Sequence, residues 1–375
     1  MSDTALSTRL ASLDNLKVAL VAGVIVGHVT MAWSGSGGWV FEEAPVREPL
    51  QGLLLMASIT GVLFAMPLFF VIAGLFTPAS LQRKGLRRFV VDRTVRLLTP
   101  VVFFVLVFTP PIEYVDPSND GWPEDFWGFL PLVWWGQLPP APGPTWFLGV
   151  LLAFSVLYAV LRTRWPSRTS ASVPLRTRHL VLAAFAVAAS SFVLRLAVPL
   201  GEERWHVAIG QAPAWVVSFA LGVLGAERGW FRPLEPTLAR RIRYVGWAAV
   251  ALCVAVVGVV VALGADPALF AGGGRWHSLV LATLEGVIVV TVPLWLVDLF
   301  QRRFDRQGAF GRQLSRAAYA AFLLHQGVLV GLVLLSRLVP WPPEPKYVTV
   351  CALGLVGSFG LGAAILRLPG VSRVL

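Results

Sequence analysis

The chain has 375 residues, of which 56% are hydrophobic and only 14% charged, with a formal net charge of +11. Soluble domains carry about 25% charged residues, and with a mean hydropathy of +0.72 this chain lacks the polar surface that such a domain needs. Its composition is that of a polytopic, all-α membrane protein. The positive charge does not imply a nucleic-acid partner, because the basic residues fall in short clusters between apolar runs, as membrane topology requires.

Ten apolar segments are long enough to span, at about 16–34, 51–77, 97–115, 145–161, 179–200, 212–227, 244–265, 277–299, 318–335 and 347–366. About 20 helical residues, rising about 1.5 Å each, cross about 30 Å of hydrocarbon. The fourth, sixth and ninth segments are short and are expected to tilt, extend or avoid lipid. The first is read as a retained helix and not a cleaved signal, since it is long and no small-x-small cleavage site follows it. With both termini cytoplasmic, the inner connections hold 24 Lys and Arg against 5 outside. That is a strong positive-inside bias, so the count and the orientation support each other. The chain is expected to form one membrane domain over 1–375. Cys253 and Cys351 lie in apolar runs and are expected to be reduced packing residues.

The first span, "LDNLKVALVAGVIVGHVT", carries Lys17 near one end and His28 well inside. Eleven residues at 100° each bring both to one helical face, about 16 Å apart along the axis. His28 suits a general base, because imidazole titrates near neutrality; Lys17 suits a phosphate. The plainer reading is a snorkelling Lys and a hydrogen-bonded packing His. No metal is expected, because no second ligand sits at ligand spacing nearby. The third span opens with "GLRRFVVDRTVRLLTP", where Arg93 and Arg96 are three apart and share a face. Guanidinium groups bind phosphate bidentately, whereas topology alone would explain the basic residues before them.

The external connection 116–144 is acidic and then rich in Trp and Pro. It reads as an interfacial segment anchored by aromatic rings, or as a lid or acceptor groove. "GPTWFL" opens the fourth span with Pro144 at a helix start and Trp146 at interface depth. In the eighth span Glu285 is the carboxylate deepest in an apolar run; it needs a partner or a proton there. In the ninth, Tyr319 and His325 are six residues apart and face different sides. Ionisable groups at membrane depth are functional candidates.

Taken in order, these motifs resemble the acyltransferase 3 family of integral-membrane acyltransferases, which includes O-antigen acetylases and the succinyltransferase of periplasmic glucans. "LDNLK" with Asp14 and Lys17, then His28, is similar to the family's Arg/Lys-x10-His pattern. "PLFFVIAGLF" resembles its second-span signature, Arg93 and Arg96 its Arg-x-x-Arg pair, "PTWFL" its Trp-Phe-Leu motif, and "YAAFLLH" its late Tyr-to-His motif. The chain departs from the pattern at Asn15, where Gly is common, and at Lys17, where Arg is common. The resemblance covers about residues 9–366.

It implies an O-acyltransferase of the cytoplasmic (inner) membrane with no permanently bound cofactor. Acyl-CoA, acetyl or succinyl, would be the cytoplasmic donor, and a hydroxyl of a carbohydrate or glycolipid at the outer side the acceptor. His28 would be base or acyl carrier. Asp14 would orient or cap the helix start near Lys17, while Lys17, Arg93 and Arg96 would hold donor phosphates or stabilise developing charge. Trp146 would shape the outer pocket, with Tyr319, His325 and Glu285 as further site candidates. The competing reading is a transporter or exporter of a polar glycan or lipid, which also needs midplane polar groups.

Overall fold

The computed structural model describes residues 3–35, 39–115, 125–135, 141–165, 173–230, 233–264, 266 and 268–371. Among these residues thirteen α-helices are arranged as α1 (Asp3–Trp33), α2 (Leu50–Lys84), α3 (Leu86–Phe103), α4 (Thr109–Tyr114), α5 (Phe126–Trp134), α6 (Trp146–Arg164), α7 (Thr177–Leu194), α8 (Ala212–Arg228), α9 (Pro236–Ala262), α10 (Ala268–Ala271), α11 (Trp276–Arg303), α12 (Ala309–Arg337) and α13 (Pro343–Ile365). Among the described residues the β-structure is a lone bridge between Arg204 and Val207. Helices dominate because in lipid each backbone N–H and C=O must be satisfied within its own segment.

Among the described residues ten helical stretches have the length and apolarity to span, and each overlaps one of the ten expected segments. The third differs most. It runs from Leu86 to Tyr114, so Arg93 and Arg96 stand inside a continuous helix and not ahead of one. Its middle, Phe104–Phe108, winds as a π-helix between α3 and α4, with Phe104 and Phe108 stacked at 5.5 Å. The fifth is shorter than expected, because α7 stops at Leu194 and Arg195 forms its C-cap. α2 has 35 residues, about 52 Å of helix, more than the hydrocarbon requires. Its end, with Arg83 and Lys84, therefore extends beyond the apolar layer.

The packing divides into two compact units, each drawn from three stretches of chain. The first comprises Met1–Leu16, Ile59–Val91 and Ala153–Gln307. Here α7 and α9 pack on α11, and Leu63, Ala249, Cys253, Leu284, Ile288 and Val292 form a buried apolar cluster. α2 crosses α8 at Gly74, the glycine of "PLFFVIAGLF". A methyl at Gly74 would collide with the Phe219 carbonyl, and one at Gly222 with that of Val71. Small residues let helices approach in a setting where apolar burial between them gains little, because lipid is equally apolar. Asn15 also has a fastening role in this unit. Its Nδ2 donates to the carbonyls of Phe304 and Arg306 at 2.9 and 3.0 Å, and Gln307 Nε2 donates to its Oδ1.

The second unit comprises Lys17–Ser58, Asp92–Leu152 and Gly308–Leu375. α12 and α13 lie along each other, with Gly362 backed against Ala317 and Ala321. α1 meets α13 where Thr30 Oγ1 and the Tyr347 hydroxyl are 3.2 Å apart and Trp33 packs edge-on to Tyr347. Of the external connection, 116–124 and 136–140 lie outside the described residues. Between them α5 is capped by Asp125, whose Oδ1 accepts from Gly128 N at 2.9 Å. Its Phe129 and Val133 are buried while Trp127 and Trp134 are exposed, the two-sided pattern of an interfacial helix.

Candidate active site

In the second unit α1 brings His28, and α12 brings His325, to a ring-centroid separation of 4.9 Å. Each ring is tied to its own helix. His28 Nδ1 lies 2.8 Å from the Val24 carbonyl, and His325 Nδ1 lies 2.6 Å from that of Phe322. A carbonyl oxygen only accepts, so these bonds assign the hydrogen to Nδ1 in both rings and leave Nε2 with a lone pair. Nε2 of His325 is buried without a partner among the described residues. His325 is 0% exposed, whereas His28 is half-buried, so His28 is the more accessible ring of the two.

Aromatic side chains enclose the pair. Trp39, from the loop after α1, packs edge-on to His28 at 6.4 Å. On the other side Phe322 lies 5.9 Å from His325, and Phe147 lies 6.1 Å from Phe322. Trp146 packs at 90° against Phe147, so the Trp-Phe-Leu stretch contributes to the wall behind His325. That stretch is held by a tight turn. Gly143 has φ +48°, a left-handed conformation that favours glycine, and a methyl there would strike Gln326 and the Phe104 ring. Thr145 Oγ1 donates to the Pro142 carbonyl at 2.6 Å, and Gln326 Oε1 is a further buried atom without a partner among the described residues.

The Arg-x-x-Arg pair joins the same unit through α12. The Tyr319 hydroxyl donates to the Arg96 carbonyl at 2.9 Å. Tyr319 precedes His325 by six residues, about 9 Å along the helix. Arg96 is exposed and Arg93 half-buried. The bond fixes the α3 backbone at Arg96 against α12.

Not every expected residue joins this site. Lys17 is half-buried but stays three turns from His28 on α1, about 16 Å along the axis. The expectation that Asp14 caps the helix start is corrected: α1 begins at Asp3. Asp14 therefore lies in the helix interior, where the backbone N–H groups are already used by the i→i−4 ladder. Glu285, in the first unit, is buried against Arg195. Arg195 Nη2 lies 2.9 and 2.8 Å from the two carboxylate oxygens, and Nε donates to the Gly210 carbonyl at 3.1 Å. Sequence reasoning did not find that partner, although an arginine within "LRLAVPL" was a signal. It also did not single out Trp39, which follows two glycines and resembles an ordinary interfacial ring.

The fold and the site define a multi-pass membrane protein with a histidine pair inside its apolar region and an arginine pair along the same helical wall. The acyltransferase 3 family model, described as an acyltransferase domain, matches residues 10–363. The chain belongs to that family and is a membrane acyltransferase. No curated protein and no solved structure matches it.

Proposed function

We propose that this protein moves an acyl group, acetyl or succinyl, from cytoplasmic acyl-CoA to a hydroxyl of a carbohydrate or glycolipid at the outer side of the inner membrane. Both termini are then cytoplasmic, as the 24-to-5 charge bias implies. The observation that carries the reading is the His28 ring: half-buried, its Nδ1 hydrogen committed to Val24, its Nε2 lone pair left for chemistry. In the reaction Nε2 removes the acceptor hydroxyl proton as the oxygen attacks the thioester carbon. The C–O bond forms, the C–S bond breaks, and the CoA thiolate leaves with the proton returned from the imidazolium. The same lone pair would serve if His28 carried the acyl group.

Arg93 and Arg96 hold the CoA phosphates by charge-assisted bonds. Lys17, about 16 Å from the base, is a phosphate ligand at the cytoplasmic rim and not a partner of His28 in the chemistry. Comparative mass spectrometry of surface glycans and lipids, with and without the gene, tests the reading. A mass difference of one acyl group on a hydroxyl-bearing species is expected. Unchanged acylation, together with purified protein that neither binds nor consumes acetyl-CoA, would favour the transporter.

A further inference from the structure

We propose that Trp39 belongs to the reaction site as a hydrogen-bond donor, its indole N–H stabilising the acyl carbonyl oxygen while that oxygen carries negative charge. This inference rests on acyl transfer taking place at His28. Three observations lead to it. The Trp39 ring packs edge-on to His28 at 6.4 Å. Its Nε1 is buried and has no acceptor among the described residues, although buried indole N–H groups usually find one. The neighbouring histidines also lack what an oxyanion needs. Both have committed their hydrogens to backbone carbonyls and offer only lone pairs, so the indole supplies the missing donor.

The loop is built to hold that donor still. Phe41 is 1% exposed and packs edge-on to Trp39 at 6.4 Å. Arg337 lies 4.6 Å above the Phe41 ring and pairs with Glu43 at 2.7 Å. The Glu43 and Val46 amides donate to the Ala32 and Trp33 carbonyls at the end of α1, at 2.9 and 3.1 Å. The Arg47 amide donates to Glu344 at the start of α13, at 2.9 Å. A donor fixed before the reaction needs no reorganisation when charge develops, which is the condition for oxyanion stabilisation. The bond is made to an oxygen that becomes an anion only in the transition state, so its loss lowers kcat and leaves donor binding alone.

The test compares Trp39→Phe, Trp39→Ala and His28→Ala in the full-length protein. Surface acylation is measured in cells lacking the native copy, and acetyl-CoA binding with purified protein. Trp39→Phe is expected to keep the thermal midpoint and the acetyl-CoA Kd, and to transfer about 10²-fold more slowly. Should Trp39→Phe fail to fold, benzothienylalanine at position 39 keeps the bicyclic shape and replaces the N–H with sulfur; slow transfer at the wild-type midpoint is again expected. Full-rate transfer in either variant, with His28→Ala inactive, overturns the role of Trp39 alone. So does a weakened Kd at unchanged kcat, which would make the ring a binding surface. Full-rate transfer in His28→Ala would overturn the underlying reading instead.

Discussion

Each unit of this protein buries a polar pair on long apolar helices, and the two pairs are completed differently. Arg195 and Glu285 turn toward each other. One nitrogen meets both carboxylate oxygens, and a second finds the Gly210 carbonyl. His28 and His325 stand 4.9 Å apart, yet each spends its hydrogen on its own helix. Nε2 of His325 is buried without a partner among the described residues. Arg195 Nη1 likewise has no partner among the described residues, but a pair whose members bond to each other fastens helices, because separating them would strand a charge in a medium of low dielectric. A pair satisfied only by its own backbone keeps lone pairs for a ligand. Burial and membrane depth do not separate these cases; the direction of the hydrogen bonds does.

The largest effect should come from the histidine pair. His28→Ala is expected to reduce acyl transfer by about 10²–10⁴-fold with an unchanged thermal midpoint, measured as acetyl-CoA consumption and unfolding of the purified protein. A collapse of the midpoint would put the histidines with the fasteners. Glu285→Ala should do the opposite, destabilising the protein by about 3–5 kcal/mol while transfer per folded molecule stays the same. Replacing Glu285 and Arg195 together by Leu and Met should recover much of the midpoint, since a buried ion pair often does no better than apolar residues of similar volume. A folded double variant without activity would erase the distinction. The smallest effect is at the α2–α8 crossing. Gly74→Ala should cost about 1–3 kcal/mol through overpacking against the Phe219 carbonyl, with kcat retained in the molecules that fold.

The candidate site was legible where it depended on local spacing. Lys17 and His28 share a helical face because eleven residues make almost three whole turns, and Arg93 and Arg96 are visible as one stripe for a similar reason. Asp14 was misplaced as a cap because the apolar run begins later than the helix does. α1 starts at Asp3, and polar residues propagate a helix as well as apolar ones once it is nucleated. Trp39 could not be singled out. An aromatic ring after a span is ordinary, and only its packing on His28 and its unpaired N–H set it apart.

By itself the sequence determined the class of protein. Ten apolar runs and a one-sided distribution of Lys and Arg specify a multi-pass helical membrane protein, since helix length and membrane orientation are read locally along the chain. Its motif order also carried the acyltransferase 3 resemblance. Tertiary structure alone decided the partners. It set His28 against His325, 297 positions away, gave Glu285 to Arg195, and placed Trp39 beside His28. The physical reason is that membrane insertion answers to the apolarity of each segment taken singly. Which polar atoms meet depends on how the inserted helices turn and pack, through small-residue crossings such as Gly74 on Gly222.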